Sequence, residues 1–131
     1  MIEGGCLCGA LRYRSSVDPI ENGYCHCRAC QKASGAPVVA WTTFPAESFT
    51  YTKGEPATYR SSSNGQREYC PSCGSQILFR DSDRPDRVDI NSCTADQPEA
   101  LVPAYHSFCD SRVPWFDIND ELPRYRDAGP D

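Results

Sequence analysis

Methionine occurs once in these 131 residues, and no apolar run approaches the length of a membrane span. The first scarcity, set beside eleven prolines and nine glycines, argues against a helical bundle and for short strands and turns. The second argues against a membrane partner. Basic excess is missing too: thirteen Lys and Arg face eighteen Asp and Glu, a formal charge of −5. Nucleic acid and anionic membranes call for clustered Lys and Arg, so such a surface should repel both. The opening residues, Met-Ile-Glu-Gly-Gly-Cys, show no basic stretch followed by an apolar one, so no secretory leader is expected. There is no internal repeat and no low-complexity tract. The expectation is a cytoplasmic protein of one domain, residues 1–126, with residues 127–131 as a frayed tail.

What is present reads mainly as strand. Gly9–Arg14 alternates apolar and basic residues, and Val38–Phe44 is β-branched and aromatic, as a buried strand is. Phe49–Thr52, Ala57–Ser61, Gln66–Cys70, Gln76–Phe79 and Arg87–Asn91 follow as further short strands, punctuated by Gly54, Asn64-Gly65 and Arg84-Pro85. Asp18-Pro19 and Glu21-Asn22-Gly23 read as turns. One short helix is expected over Cys27–Ser34, with Gly35 as its stop and Pro37 just beyond. The fold class is mainly β: a twisted, folded antiparallel sheet with short helical turns. A core this small gains from a metal staple.

The staple candidates are cysteines. Seven of nine fall into three clusters: Cys6-Leu7-Cys8, Cys25-His26-Cys27-Arg28-Ala29-Cys30, and Cys70-Pro71-Ser72-Cys73. An odd count without a leader suits metal thiolates in a reducing compartment better than disulfides. Cysteines two apart on a strand share a face at about 6.6 Å, the upper edge of disulfide reach. Two thiolates on one tetrahedral zinc need sulfurs only about 3.8 Å apart. In Cys70-Pro71-Ser72-Cys73-Gly74, Pro71 pre-sets a turn and Gly74 lets the chain leave at positive φ. One pairing joins Cys6 and Cys8 with Cys70 and Cys73 as a closed structural site and leaves Cys25, Cys27 and Cys30 around a second metal. It wastes no thiol. The rival pairs Cys27 and Cys30 with Cys70 and Cys73 as a zinc ribbon and leaves Cys6, Cys8 and Cys25 without purpose. Seven thiolates around two Zn²⁺ would take the chain to about −8.

These clusters, with Gln31-Lys32-Ala33-Ser34-Gly35-Ala36-Pro37, Trp41, Gly54-Glu55-Pro56, Tyr59 and Leu122-Pro123-Arg124-Tyr125, resemble the glutathione-dependent formaldehyde-activating enzyme / centromere protein V family over roughly residues 4–125. The resemblance implies an Mss4-like β fold with two zinc ions. It implies a structural zinc held by Cys6, Cys8, Cys70 and Cys73, and a catalytic zinc held by Cys25, Cys27 and Cys30. It also implies a carbon–sulfur lyase that condenses glutathione with formaldehyde to S-hydroxymethylglutathione. The expected partners are therefore a small, glutathione-like thiol and a small aldehyde.

Three thiolates around Zn²⁺ leave a net charge of −1, which suits holding an incoming thiol as thiolate better than polarising a carbonyl. Among supporting residues, His106 is a candidate proton shuttle or a packed histidine. His26, between two ligands, points away from the metal by alternation and reads as structural. Trp41 and Pro114-Trp115-Phe116 are candidates for a pocket wall or for core. Arg28 and Lys32 suit glutathione carboxylates or, more simply, a solvated helix face. Cys93 and Cys109 are expected to be buried small hydrophobes. Two other functions compete with the lyase: a non-catalytic, zinc-stabilised protein-binding module, and methionine sulfoxide reduction with Cys93 or Cys109 as nucleophile. An open three-thiolate site favours the lyase, because a scaffold has no need of an exchangeable position.

Overall fold

The computed structural model describes residues 1–130. Among the described residues, ten strands form two sheets. Strands β1 (Ile2–Gly5), β2 (Arg12–Ser15) and β5 (Phe49–Lys53) make the smaller, in the order β1-β2-β5. The larger contains β3 (Glu21–Cys25), β4 (Val39–Pro45), β6 (Ala57–Arg60), β7 (Gly65–Tyr69), β8 (Gln76–Asp81), β9 (Arg87–Asn91) and β10 (His106–Ser107), in the order β10-β3-β4-β9-β8-β7-β6. Every pairing is antiparallel except β10 with β3, which is parallel. The one α-helix among the described residues, α1 (Arg28–Ser34), begins shortly after β3. Gly35 closes it at φ 71°, a left-handed conformation that glycine adopts without strain.

The core lies where the smaller sheet meets the larger. Leu11 just before β2, Tyr13 of β2 and Phe49 of β5 pack on Phe44, Ile77, Leu78, Val88 and Ile90 of the larger sheet. Tyr13 stacks on Phe49 at 5.3 Å between ring centroids, and its hydroxyl meets Thr94 Oγ1 at 2.8 Å. That pairing lets a large polar-tipped ring be fully buried. Thr42, also fully buried, is satisfied likewise: its hydroxyl donates to Asn22 Oδ1 at 2.7 Å and lies 2.8 Å from Ser92 Oγ.

Three departures from the sequence reading bear on the site. Glu21-Asn22-Gly23 is strand, not turn. Gly23 is required by close packing: a Cβ there would lie 2.5 Å from the Tyr105 ring. Residues 9–10 do not begin a strand; Gly9, at φ 81°, and Ala10 close a turn in which the Gly9 N–H donates to the Cys6 carbonyl at 3.2 Å. Cys6 and Cys8 therefore converge across a turn, not along one face of a strand. The start of the tail is tied down, since the Phe108 N–H donates to the Asp127 carbonyl at 2.9 Å; Asp131 lies outside the described residues. No helix among the described residues is long and apolar enough to cross a membrane.

Ile90 is 0% exposed at the centre of the larger sheet. Ile90→Ala should lower unfolding free energy by about 3 kcal/mol, within the roughly 2–5 kcal/mol typical of such truncations. Chemical denaturation of the metal-loaded protein checks this, and a loss under about 1 kcal/mol would contradict the packing described.

Candidate metal centre and active site

Cys25, Cys27 and Cys30 arrive on three consecutive pieces of local structure. Cys25 ends β3, Cys27 is the N-cap of α1, and Cys30 sits in its first turn. Cys27 takes the extended conformation of a cap (φ −65°, ψ 148°), and its sulfur accepts from the Cys30 N–H at 3.3 Å. The Gln31 side-chain amide clamps the loop by donating to the His26 carbonyl at 2.7 Å and the Ser111 carbonyl at 3.2 Å. The result brings the Cys25 and Cys30 sulfurs to 3.5 Å, with all three sulfurs within 4.8 Å of one another.

The other four clustered cysteines form a separate set. Cys6 and Cys8 meet Cys70 and Cys73, with sulfurs 3.6 Å apart for Cys6–Cys8 and 3.8 Å for Cys8–Cys70. Backbone N–H groups of Leu11 and Ser72 donate to the Cys6 and Cys70 sulfurs at 3.2 and 3.4 Å. Gly74 leaves the Cys70–Cys73 turn at φ 79°, and its N–H donates to the Cys70 carbonyl at 2.8 Å. The set ties the N-terminal turn to the β7–β8 connection. The ribbon pairing of Cys27 and Cys30 with Cys70 and Cys73 is not formed.

Both sets fit a thiolate-bound metal. Tetrahedral thiolates at about 2.3 Å from zinc lie about 3.8 Å from each other, and the separations of 3.5, 3.6 and 3.8 Å lie at or just below that value. Donors this soft select zinc, copper(I) or iron–sulfur centres over hard cations. Charge within the smaller set is uneven. The Cys27 thiol is held far below its usual value by hydrogen bonds from Cys25 and Cys30, with the Cys30 N–H and the Arg67 charge adding to them. Cys25 is pushed up by its neighbour Cys27, by Cys30 and by burial, and Cys30 is also raised.

The two sets differ in surroundings. Cys25, Cys27 and Cys30 line a cavity of about 340 Å³, walled by Trp41, Phe79 and Arg67 among others. None of the four other clustered cysteines lines it. Trp41 and Phe79 meet edge-on at 6.3 Å, and the Arg67 guanidinium lies over the Phe79 ring at 5.2 Å. Arg67 is only 9% exposed and places Nη2 at 3.8 Å from the Cys30 sulfur. A wider groove adjoins the cavity, sharing Ala29, Ser61 and Arg67 with it and carrying Lys32 and Tyr59 on its far side.

Arg67 was not singled out in the sequence. An arginine on a short strand reads as solvent-facing, and only the cross-strand pairing Arg67↔Phe79 aims it inward. His106 is placed differently from a shuttle facing the metal. Its ring is fully buried, with Nδ1 2.9 Å from His26 Nε2 and Nε2 3.0 Å from both Asp120 oxygens, while its neighbours Tyr105 and Ser107 line the cavity. His26 is buried against His106 and does not line the cavity. Trp41 walls the cavity, but Trp115, 75% exposed, is neither wall nor core. Lys32 reaches the adjoining groove, whereas Arg28 is exposed and lines neither space. Cys93 is exposed rather than buried, since it sits in a short 3₁₀ turn that buries Ser92 instead. Cys109 is half-buried, and burial pushes its thiol up, the opposite of what an activated nucleophile needs.

Residues 1–111 match the sequence profile of the glutathione-dependent formaldehyde-activating enzyme family. The chain belongs to that family. A Schizosaccharomyces pombe protein named as an uncharacterised lyase is 32% identical over 79 residues, 59% of this chain and 56% of its own length. That match spans little more than half of the yeast protein. A Halomonas elongata protein named as a putative glutathione-dependent formaldehyde-activating enzyme is 26% identical over 127 residues, covering 90% of this chain and 81% of the relative. The crystal structure of a Rhodobacter sphaeroides protein superposes with a TM-score of 0.60 at 15% identity, covering 93% of this chain and 98% of that one. That likeness supports the mainly β fold.

Proton accounting makes the three-cysteine site testable. With Cys27 lowered and Cys25 and Cys30 raised, metal loading there at neutral pH should release about two protons. Affinity should therefore climb as pH rises through neutrality and fall on acidification. Titration calorimetry in buffers of different ionisation enthalpy counts the protons; a release near zero would contradict the assignment.

Proposed function

We propose that the chain is a zinc-dependent enzyme of the carbon–sulfur lyase type, acting on the adduct of a glutathione-like thiol with a small aldehyde such as formaldehyde. One observation carries this reading: three convergent sulfurs form part of a cavity wall, while the four-sulfur set lies outside it. A purely structural metal needs no access, and the four-sulfur set fits that role. At about 340 Å³ the cavity lies toward the lower end of small-ligand pockets, which run about 300–1,000 Å³.

Cys25, Cys27 and Cys30 would hold the catalytic zinc, and Cys6, Cys8, Cys70 and Cys73 the structural one. Zinc bound by three thiolates supplies thiol activation, keeping an incoming thiol as its thiolate. The chain's own residues shape the rest. Trp41 and Phe79 offer an apolar wall that keeps water from the reacting carbon. The Arg67 cation beside Cys30 offsets the negative charge that accumulates when an anionic sulfur joins three others. In the forward direction the thiol sulfur bonds to the aldehyde carbon, and the thiol's proton ends on the resulting carbinol oxygen. The reverse breaks the same C–S bond and returns the proton to sulfur.

The metal-loaded protein should accelerate glutathione–formaldehyde exchange, followed by exchange NMR, and carry two zinc ions per chain. Cys27→Ala should abolish the acceleration and lower the metal count to one. Full activity in that variant would defeat the reading. Arg67→Leu should raise the KM for the thiol about tenfold or more while leaving the four-sulfur metal bound, because a desolvated charge partner is lost. An unchanged KM would remove Arg67 from thiol binding.

A further inference from the structure

A buried chain of side chains links the three-cysteine loop to the C-terminal segment. His26, between Cys25 and Cys27, is 1% exposed, and His106 is 0% exposed. His26 Nε2 lies 2.9 Å from His106 Nδ1, and His106 Nε2 lies 3.0 Å from each Asp120 oxygen. An ionised carboxylate only accepts, so His106 donates from Nε2. With His106 neutral, its Nδ1 accepts and His26 donates from Nε2. One acceptor at the end of the chain thus fixes the tautomer and the ring orientation of both histidines.

Asp120 is itself held. It accepts from the Leu122 N–H at 3.2 Å and lies 3.8 Å from the Arg124 guanidinium, which also bonds Asp117 at 3.1 Å and the Ile118 carbonyl at 2.7 Å. Backbone bonds fasten the same segment to His106: its N–H donates to the Pro123 carbonyl and its carbonyl accepts from the Tyr125 N–H, both at 2.8 Å. Tyr24 of β3 stacks on the His106 ring at 4.9 Å between centroids. The family match ends at residue 111, so Asp120 lies beyond it.

The position of His26 gives this chain its leverage. Between Cys25 and Cys27 the backbone leaves a strand and enters a helix cap, so the torsions of His26 set the separation of the two sulfurs flanking it. Its backbone is pinned by the Ser107 carbonyl at 3.0 Å and by Gln31, and its ring by His106. Losing Asp120 would leave a buried imidazole N–H without its acceptor, a cost that is relieved only if the rings turn.

We propose that Asp120, acting through His106 and His26, is a positioning residue that sets the spacing of Cys25 and Cys27 and thereby the metal affinity of the three-cysteine site. The proposal rests on that site being a metal centre. Outer partners of metal ligands commonly change affinity 10- to 100-fold.

The test uses the full chain, metal-loaded, with chelator competition resolving the two sites and cobalt(II) sulfur-to-metal charge-transfer bands reporting geometry. Asp120→Ala should weaken the three-cysteine site about tenfold and shift its cobalt spectrum, leaving the four-cysteine site unmoved. Asp120→Asn, whose amide oxygen still accepts from His106, should restore most of the affinity. Independently, nitrogen-15 NMR of the unaltered protein should show Nε2–H tautomers for both histidines, a result available even if Asp120→Ala fails to fold. Unchanged affinity and spectrum in Asp120→Ala, equal weakening of both sites, or another tautomer pattern would each overturn the proposal. An unaltered chain that never takes a second metal would instead overturn the metal-centre reading beneath it.

Discussion

Thiolates repel one another, and a buried trio of them persists only where something positive holds it together. That constraint organises this protein. Cys25, Cys27 and Cys30 are brought within reach of one ion by a strand end, a helix cap and a helical turn in direct succession. A buried arginine stands 3.8 Å from one of the sulfurs. Around that arrangement the larger sheet supplies the cavity: β3 and β4 give one wall through Cys25 and Trp41, and β7 and β8 give the other through Arg67 and Phe79. The four-cysteine set lies to the side, where it joins the N-terminal turn to the β7–β8 connection, and β7–β8 pairing sets Arg67 opposite Phe79.

Local geometry distinguishes the two sulfur sets. Cys70–Cys73 forms a closed turn satisfied by its own backbone bonds, with Gly74 as the exit, and Cys6 and Cys8 complete it from a second turn. Four donors from two turns leave a tetrahedral ion no further position. Three donors from one loop leave one, and the cavity lies beside it. This contrast is the ground on which we propose chemistry at the three-cysteine loop and a staple at the four-cysteine one.

Much of this was legible in the residues. Cluster spacing gave the four-plus-three partition, the Cys27–Gly35 pattern gave the helix with its cap and stop, and β-branched and aromatic runs gave β4 to β9 nearly in place. Legibility failed where long-range packing decided the outcome. Gly23 looked like a turn residue because only the folded chain puts the Tyr105 ring against it. Arg67 drew no notice because the cross-strand partner that turns it inward lies twelve residues away along the chain. His106 read as a proton shuttle or a packed histidine, and parallel pairing of a two-residue strand with β3 and an acceptor in the irregular segment beyond it make it part of a buried chain. Cys93 was expected inside on composition alone, and a 3₁₀ turn puts it outside.

The central claim is that the three-cysteine metal has room for a sulfur from outside. Cadmium-113 NMR of the doubly loaded protein resolves the two centres, because their sulfur counts differ. Saturating glutathione should move the signal of the Cys25–Cys27–Cys30 centre toward that of a four-sulfur environment and leave the other signal in place. Two signals that both stay fixed in the presence of thiol would contradict the account.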